Sequence, residues 1–435
     1  MFKKILSLSL INYFRFFARL QLQKNPKATI IAVTGSSGKT STRLAIVHIL
    51  KTRGVVKSSI HANSQSGISL NILGLKPKDY SLFDWLHLII LAPYQYLTFR
   101  EHFDYYVVEM GVGGPDTPNN MAYLLSIVSP VVGVVLNAGL SHAFAFDYLV
   151  KDTNQNRRKG KLINLIAKEK MQLVKNMGSH AVAVVNIDQW ELLHQTSDIR
   201  ARLITFGKSK KADFQILGNY IYLYQGNKYQ LKPQCIYPES YEYTFAAAIC
   251  VCAGLGIPPS ISLPLLSNYN SPSGRMRIFR GINQSTIIDS SYNASPSSMK
   301  ENLTNLKRIA GRKKKIAVIG DMRELGNSTK SIHKELATWI MSCADETILF
   351  GDYVRQFTLP LLVSQKFKVR HFATMKSLIH SLKSTAKPHT HFLVKGSQNH
   401  IFLERAVEAL LMNKDEVKQL CRRGPFWDKM RAKTP

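Results

Sequence analysis

The sequence has few cysteines, and none of them are paired in the spacing of a zinc or redox motif. Only five of its 435 residues are cysteines. That number is odd, and no C-x-x-C pair occurs among them. Neither a disulfide framework nor a zinc site is therefore indicated, and a reducing cytoplasm is the expected compartment.

Acidic residues are also scarce. Asp and Glu number 28 against 58 Lys and Arg, which gives a formal net charge of +30. Such an excess attracts anions: nucleotides, phosphorylated substrates, nucleic acid or an anionic membrane surface. The basic residues form short scattered clusters without interleaved aromatic residues, and this pattern argues against nucleic acid as a partner.

The sequence lacks an uncharged apolar run that is long enough to span a membrane. Residues 5–23 are apolar but contain Arg15 and Arg19, and no cleavage site of a signal peptide follows. A helix here would either lie on a membrane surface or pack on the body of the protein. Residues 80–97 leave the same two alternatives open, and Asp84 argues against a span.

From residue 28 onward, short β-rich runs alternate with helical patterns. Chain length favours two or three domains, and the alternation predicts mostly parallel sheets covered by helices. A Ser-, Pro-, Asn- and Gly-rich stretch at 267–276 is the predicted linker. We therefore predict an α/β protein with an amphipathic segment (1–27), a P-loop-type central domain (28–271) and a smaller Rossmann-like domain (272–435).

Individual elements follow from the same patterns. Residues 212–232 alternate with period two and predict one antiparallel hairpin that turns at Gly226-Asn227, and residues 243–256 predict a helix. The second domain has no G-x-G-x-x-G motif, so a bound dinucleotide is not inferred. The predicted strands are residues 28–35, 104–111, 131–139, 181–188, 202–207, 285–291, 315–322, 346–351 and 391–397.

The strongest functional signal is T-G-S-S-G-K-T (34–40), which lies between a predicted buried strand and a helix. Its glycines let backbone amides turn toward a phosphate, and the helix adds a favourable field. Lys39 is expected beside the terminal phosphates and Thr40 on Mg²⁺. A Gly/Ser-rich turn with a chance lysine is the alternative. The predicted ATP contacts are Gly35, Ser36, Ser37, Gly38, Lys39, Thr40 and Ser41.

Only two residues separate the loop glycines, and this short spacing resembles the loop of Mur ligases and folylpolyglutamate synthases. Further motifs follow in the order of the Mur ligase family: V-V-E-M-G (107–111), N-A-G-L-S-H (137–142) and I-A-K-E-K (166–170). The resemblance implies that Asn137 contacts the nucleotide. It also implies that Lys170 is carbamylated by CO₂. The Mg²⁺ ligands that it implies are Thr40, Glu109, His142 and the carbamylated Lys170.

Two passages of the second domain resemble the branch of the family that adds D-alanyl-D-alanine. They are G-R-M (274–276) and I-I-D-S-S-Y-N-A-S-P-S-S-M (287–299), in which two serines stand where the family usually has Asp and Asn. The resemblance implies that Arg275 reaches the transferred γ-phosphate and that Asp289 and Asn293 contact the nucleotide.

This resemblance implies a cytoplasmic, ATP-dependent amide ligase of peptidoglycan precursor synthesis. The apolar N-terminal segment and the basic charge leave open a place at the inner face of the membrane. A peptide carboxylate would become an acyl phosphate and then accept an amino acid or dipeptide. D-Ala-D-Ala and a muramyl tripeptide are the first candidates for the two substrates. The implied catalytic residues are Lys39, His142, Lys170 and Arg275.

The N-terminal side limits the resemblance. Members of the branch that adds D-alanyl-D-alanine usually carry an N-terminal domain that binds the uridine nucleotide. Here the phosphate loop begins at residue 34, so we expect this domain to be absent. The carboxylate substrate is therefore open. The alternatives are a related Mur-type or folylpolyglutamate-type ligase, a non-catalytic ATP-binding protein at the membrane, and a basic nucleic-acid-binding ATPase.

Overall fold

The structure is a computed structural model that describes residues 2–60, 62–79, 81–141, 143–234, 237–397 and 401–432. The chain divides into two compact units. Unit 1 holds the described residues up to 234 and residues 240–269. Unit 2 holds residues 237–239 and the chain from 270 onward.

Unit 1 is built around one sheet with helices on its faces. Its helices are α1 (Phe2–Leu22), α2 (Lys39–Leu50), α3 (Gln65–Ile72), α4 (Leu82–Thr98), α5 (Met121–Leu125), α6 (Gln155–Lys175), α7 (Trp190–Leu193), α8 (Ser240–Gly254) and α9 (Pro259–Ser262). Its strands are β1 (Thr29–Thr34), β2 (Val56–Ser58), β3 (Tyr105–Glu109), β4 (Val132–Val135), β5 (Val182–Asn186), β6 (Arg202–Gly207), β7 (Phe214–Gly218), β8 (Ile221–Tyr224) and β9 (Asn227–Gln230). Short 3₁₀ helices occupy Ala143–Leu149 and Pro264–Asn268.

The strand order of this sheet is β2-β3-β1-β4-β5-β6-β7-β8-β9. All pairs from β2 to β7 are parallel, and only the last two pairs are antiparallel. β1 lies between β3 and β4, and the strand order changes direction there. Ligands of such sheets bind at the carboxyl ends of the strands at this switch point. In the β1–β3 register Val33 pairs with Glu109, so Glu109 ends its strand beside the loop that follows β1.

The edge of this sheet differs from the prediction of a single hairpin. β7, β8 and β9 form two successive hairpins, and the first turns at Asn219 and Tyr220, both with positive φ. The second turns at Gln225 and Gly226, again with positive φ. Positive φ at both central residues is the geometry of the tight type I′ turn. The first turn lacks a glycine, which is why the sequence did not reveal it.

Helix α1 packs on the body of unit 1, which was one of its two predicted placements. Phe14 and Ala18 are fully buried. Arg15 donates a hydrogen bond from Nη1 to Ser126 Oγ at 2.9 Å. No helix in the described part of the chain has both the length and the apolar character needed to cross a bilayer.

Unit 2 contains a six-stranded sheet in the order β10-β11-β15-β12-β13-β14, parallel except for β10 against β11. Its strands are β10 (Arg277–Arg280), β11 (Thr286–Ser290), β12 (Lys315–Gly320), β13 (Glu346–Phe350), β14 (Val369–Phe372) and β15 (His391–Lys395). Its helices are α10 (Pro296–Ala310), α11 (Thr329–Cys343), α12 (Leu359–Ser364), α13 (Met375–Thr385), α14 (Glu404–Leu410) and α15 (Pro425–Ala432). Short 3₁₀ helices occupy Ile282–Gln284, Gly326–Ser328 and Lys414–Gln419, and a π-helical turn occupies Val354–Thr358.

One core cluster of unit 2 lies where α13 and α14 cover the sheet. Ile316, Ile348 and Phe392 meet Leu378 and Leu410 in one buried cluster. Each such side chain contributes about 1.5–3 kcal/mol when it leaves water. The prediction of an α/β protein with two mostly parallel sheet domains is confirmed.

Candidate active site

The loop between β1 and α2 takes its shape from Gly38. This residue has φ +80°, in the left-handed region that favours glycine. No side chain caps the N-terminus of α2. An uncapped helix start, with its amides and dipole facing a loop, is a common anion site in proteins. The loop thus has the backbone form that phosphate binding requires.

Asn137 holds this loop in place from the strand next to it. Its Oδ1 accepts the amide of Ser37 at 2.9 Å, and its Nδ2 donates to the Ser37 carbonyl at 3.2 Å. Ser36 adds a hydrogen bond between its Oγ and the amide of Gly139 at 2.8 Å. Asn137, predicted as a nucleotide contact, also positions the loop.

The three residues that begin α2 have different surroundings. Lys39 donates from Nζ to the Gly35 carbonyl at 2.6 Å, across the loop. Thr40 donates from Oγ1 to Glu109 Oε2 at 3.0 Å. Ser41 is buried, with its Oγ 3.2 Å from the hydroxyl of Tyr241, so its side chain lies apart from the other predicted ATP contacts.

Glu109 is buried and shares its carboxylate between two partners. Oε2 accepts from Thr40, and Oε1 accepts from Arg43 Nε at 2.7 Å. Arg43 also donates from Nη1 to Ser58 Oγ at 2.5 Å. Arg43 was not among the site residues predicted from the sequence. The available signal was its position three residues after Thr40, which places both side chains on one face of α2.

Lys170 turns inward from α6 and is almost fully buried. Burial, and to a lesser extent the nearby Lys39 ammonium, lowers the pKa of the Lys170 ammonium group to about 7, and Glu169 partly opposes both effects. An amine of this pKa is substantially neutral at physiological pH. The structure thus brings Lys170 close to Lys39, while Thr40 contacts Glu109.

His142, the remaining predicted metal ligand, lies outside the described residues. Within the described ranges, no three or more His, Cys, Asp or Glu side chains form a group that could hold a metal ion. Any metal at this site would therefore draw on few side chains among those described, and Mg²⁺ commonly binds through one or two carboxylates together with substrate phosphates.

In unit 2, Arg275 stacks on Tyr292, with the guanidinium carbon 4.0 Å from the ring centroid. This contact is a cation–π interaction. Gly274 leaves the room that Tyr292 needs. Its φ is +68°, and a Cβ at this position would lie 2.9 Å from both the Cβ and the backbone nitrogen of Tyr292. Arg275 is thereby held at the end of β11.

Asp289, predicted to contact the nucleotide, is fully buried. Its Oδ1 accepts from the Ser291 amide at 3.0 Å and from Ser291 Oγ at 2.6 Å. Its Oδ2 is buried with no hydrogen-bond partner among the described residues. Burial raises the pKa of this carboxyl. Asp289 therefore shapes the turn after β11 from inside the protein.

Lys395 and Asn293 meet beside that turn. Lys395 donates from Nζ to the Asn293 carbonyl at 2.9 Å and to Ser290 Oγ at 3.3 Å. Burial lowers the pKa of Lys395 to about 7. Ser397 donates to Asn293 Oδ1 at 3.2 Å. Lys395 belongs to V-K-G-S-Q-N-H (394–400) and was not among the predicted site residues. Gln398 of that stretch lies outside the described residues.

A buried ion pair supports the same turn from the other side. Arg422 Nη2 lies 2.8 Å from Glu404 Oε2, and both side chains are almost fully buried. Arg422 also donates to the carbonyls of Ser291 and Tyr292, at 2.5 and 2.6 Å. The sequence showed Arg422 only as part of a basic cluster. The pairing itself depends on the tertiary fold.

Two family models match the chain. The Mur ligase middle domain matches residues 33–245, and the Mur ligase glutamate ligase domain matches residues 274–398. The first match contains the loop, Glu109 and Lys170. The second contains Arg275, Asp289, Asn293 and Lys395.

Similar proteins cover most of the chain. A UDP-N-acetylmuramoyl-tripeptide–D-alanyl-D-alanine ligase of Rickettsia prowazekii is 27% identical over 413 residues, which is 91% of this chain and 82% of the relative. The ligase of the same name from Bacillus subtilis is 25% identical over 400 residues, 88% of this chain and 76% of the relative. The crystal structure of MurF ligase from Thermotoga maritima in complex with ADP superposes with a TM-score of 0.71 at 22% identity, covering 94% of this chain and 84% of that one.

Proposed function

The chain belongs to the Mur ligase family, and from this premise we propose that it is an ATP-dependent ligase of peptidoglycan precursor synthesis. In this proposal it adds D-alanyl-D-alanine to a muramyl tripeptide and forms ADP and phosphate. The named relatives support this substrate pair, because each is a UDP-N-acetylmuramoyl-tripeptide–D-alanyl-D-alanine ligase. Consumption of ATP is consistent with a reaction in the cytoplasm.

One observation carries the proposal: the sheet of unit 1 brings the loop, a carboxylate and an inward-facing lysine to one place. Thr40 contacts Glu109 at 3.0 Å, and the ammonium of Lys39 acts on the pKa of Lys170. The Lys39 ammonium next to an uncapped helix start forms a favourable setting for a triphosphate. The described residues thus fit ATP.

The oxygen atoms at the start of α2 also fit Mg²⁺. The hydroxyl of Thr40 and the carboxylate of Glu109 are hard oxygen donors, which Mg²⁺ prefers. We propose these two as protein ligands, with His142 as a further ligand. Bound there, the metal would neutralise phosphate charge as it develops during transfer. Arg43 keeps the Glu109 carboxylate oriented toward Thr40.

We propose that Lys170 is carbamylated. The neutral amine attacks the carbon of CO₂ and releases a proton, which leaves an anionic carbamate with two oxygen donors. Because burial lowers the pKa of Lys170 to about 7, a large fraction of this amine is in the reactive neutral form near neutral pH. A carbamate would place a negative charge beside the Lys39 ammonium.

The proposed reaction then proceeds in two steps. A carboxylate oxygen of the peptide attacks the γ-phosphorus of ATP, the bond to the β–γ bridging oxygen breaks, and ADP leaves. The neutral amine nitrogen of the incoming dipeptide next attacks the acyl carbon. The bond between that carbon and the phosphate oxygen breaks, inorganic phosphate leaves with the bonding electrons, and the nitrogen releases one proton to solvent. The protein's contribution is positioning and charge stabilisation by Lys39 and the loop amides.

For unit 2 we propose that Arg275 contacts the transferred phosphate and that Asn293 contacts the nucleotide. A planar guanidinium suits an equatorial phosphate oxygen pair. Asp289 would act through Ser291, whose amide and hydroxyl it holds. These assignments rest on the match of residues 274–398 to the glutamate ligase domain of the family.

ADP release tests the proposal. Every assay contains the protein, ATP and Mg²⁺. Two assays contain D-Ala-D-Ala with either UDP-muramyl tripeptide or the same tripeptide on a muramyl sugar without UDP. A third contains folate and an amino acid instead. We expect ADP only with a muramyl tripeptide, and none from Lys39→Ala, with Lys168→Ala on exposed α6 surface as an active control. Turnover with folate alone, or full activity of Lys39→Ala, would refute the proposal.

A further inference from the structure

Helix α4 exposes a continuous apolar face. Its inner side is buried at Asp84, Leu88 and Ala92, which are spaced four residues apart. The opposite side carries large apolar side chains at helical spacing, with exposed fractions from 49% to 82%. We call this the α4 outer face, and its members are Leu82, Phe83, Leu86, Ile90, Tyr94 and Leu97. Single exposed apolar residues are ordinary, but such a row along one helix marks an interaction surface.

The rest of unit 1 fixes this helix in orientation. Tyr13 of α1 donates its hydroxyl proton to the Ile89 carbonyl at 2.8 Å. The rings of Phe14 and Trp85 lie 6.0 Å apart. Gln21 donates from Nε2 to the Phe99 carbonyl at 2.9 Å, just beyond the end of α4. The outer face is therefore presented by a helix that is anchored along its length.

Basic residues flank both ends of the α4 outer face. Lys76 and Lys78 are exposed before the helix, and Arg100 is exposed after it. Near the same C-terminal end, the exposed Lys24 places its Nζ 4.6 Å from the centroid of the Tyr96 ring. A surface that is apolar along its middle and positive at its ends matches a layer of anionic headgroups over acyl chains.

Negative charge is nearly missing from this surface. Asp84 is the sole acid between residues 81 and 100, and it is buried, where it accepts the amides of Lys78 and Asp79 at 2.8 and 3.0 Å. Asp79 is exposed beside the N-terminal end. Of the outward-facing residues on the helix, His87 is the polar one that lies within the apolar row.

We propose that the α4 outer face docks the protein on an anionic membrane surface, with the apolar row inserted at headgroup level and the flanking Lys and Arg on lipid phosphates. The row includes Phe83 and Tyr94, side chains that suit the interface between water and acyl chains. The formal charge of +30 favours the same surface over a neutral one. This inference is independent of the ligase reaction, because docking requires neither ATP nor a peptide substrate.

Flotation with lipid vesicles tests the inference on the full chain. The vesicles contain phosphatidylcholine alone or with about 30% phosphatidylglycerol, a typical anionic content for such assays. The key variant is Ile90→Glu, and the matched control is Val363→Glu on α12, where the side chain is also largely exposed (71% and 58%). A triple change of Lys76, Lys78 and Arg100 to Gln tests the flanking charges. Circular dichroism and thermal melts check that every variant is folded.

We expect the wild type and Val363→Glu to float with anionic vesicles and to bind neutral ones weakly. Ile90→Glu should lower binding to the anionic vesicles by about tenfold or more, since it puts a charge into the apolar row. Each removed basic residue should weaken it by about fivefold, and added salt should act in the same direction. The inference would be overturned if the wild type did not bind the vesicles, or if wild type and Ile90→Glu bound them equally. It would also be overturned if the wild type self-associated without lipid and Ile90→Glu were monomeric.

Discussion

Replacing Lys170 by methionine removes an ammonium group that the fold keeps away from water. Methionine has a similar length and packs well in buried positions. The pKa of Lys170 falls from 10.5 to about 7, chiefly through burial. At 1.36 kcal/mol per pKa unit, this shift corresponds to about 5 kcal/mol of unfavourable free energy for the charged form in the folded protein.

The effect on stability depends on pH in a defined direction. The unfolded chain keeps the Lys170 proton up to about pH 10.5, and the folded protein releases it near pH 7. Between these values the unfolded state binds more protons, so wild-type stability rises with pH by up to about 1.4 kcal/mol per unit. Below pH 7 both states are protonated, and the full cost of the buried ammonium remains.

Urea unfolding of wild type and Lys170→Met in CO₂-free buffer measures this difference. We expect the advantage of the variant to be largest near about pH 6.5 and to shrink steadily toward about pH 10. Because the buried Lys395 is present in both proteins, its contribution to the pH dependence of stability cancels in the difference. Lys168→Met, on the exposed side of α6, should follow the wild type at every pH. A difference between Lys170→Met and wild type that does not change with pH would refute the reasoning.

Three further changes test the contacts of the two units. Thr40→Val should raise the Mg²⁺ concentration needed for half-maximal ADP release by about tenfold, because a hard oxygen donor is lost; an unchanged Mg²⁺ requirement would contradict its role. Arg43→Met should lower the free energy of unfolding by about 3–5 kcal/mol, since it leaves Glu109 as an unpaired buried charge, and urea unfolding would reveal this against a mild Arg43→Lys control. Gly274→Ala should cost about 1–3 kcal/mol because its Cβ would meet Tyr292 in a left-handed backbone conformation; a melting temperature equal to wild type would argue against that strain.

The sequence predicted the central strands of both sheets well because they are short, apolar and buried on both faces. Residues 202–207 match β6 at both ends, and the other predicted strands overlap observed ones. Two strands of unit 2 were missed. β10 and β14 are four residues long, lie at the two edges of the sheet and are half-buried, so neither shows the unbroken apolar run of a central strand.

The candidate site was predictable where motif and neighbour are close in sequence. The loop around Gly38 and the strand end at Glu109 could be found from local pattern alone. The helix spacing places Arg43 on the same face as Thr40, but it does not identify Glu109 as the partner of Arg43, because the two residues are 66 positions apart and meet only in the tertiary fold. The inward orientation of Lys170 was equally hidden, since a K-E-K sequence on a helix usually faces water.

Unit 2 shows the same limit. A family resemblance drew attention to Asp289, yet complete burial of its carboxylate follows from the fold of β11 against β15 and from the residues packed on it. Lys395 was not among the site residues predicted from the sequence. Its low pKa arises only when its strand is enclosed. Buried polar groups are thus the part of the site that sequence patterns described least.

The position of Arg422 has a practical consequence for anyone who shortens this polypeptide. Residues near a terminus usually tolerate removal, but here a truncation ahead of Arg422 would leave the Glu404 carboxylate buried and alone. It would also release the two carbonyls that fix the backbone beside Arg275. Affinity tags and fusion partners therefore belong after α15, because a trimmed C-terminus would disturb the backbone that follows β11, where Arg275 stacks on Tyr292.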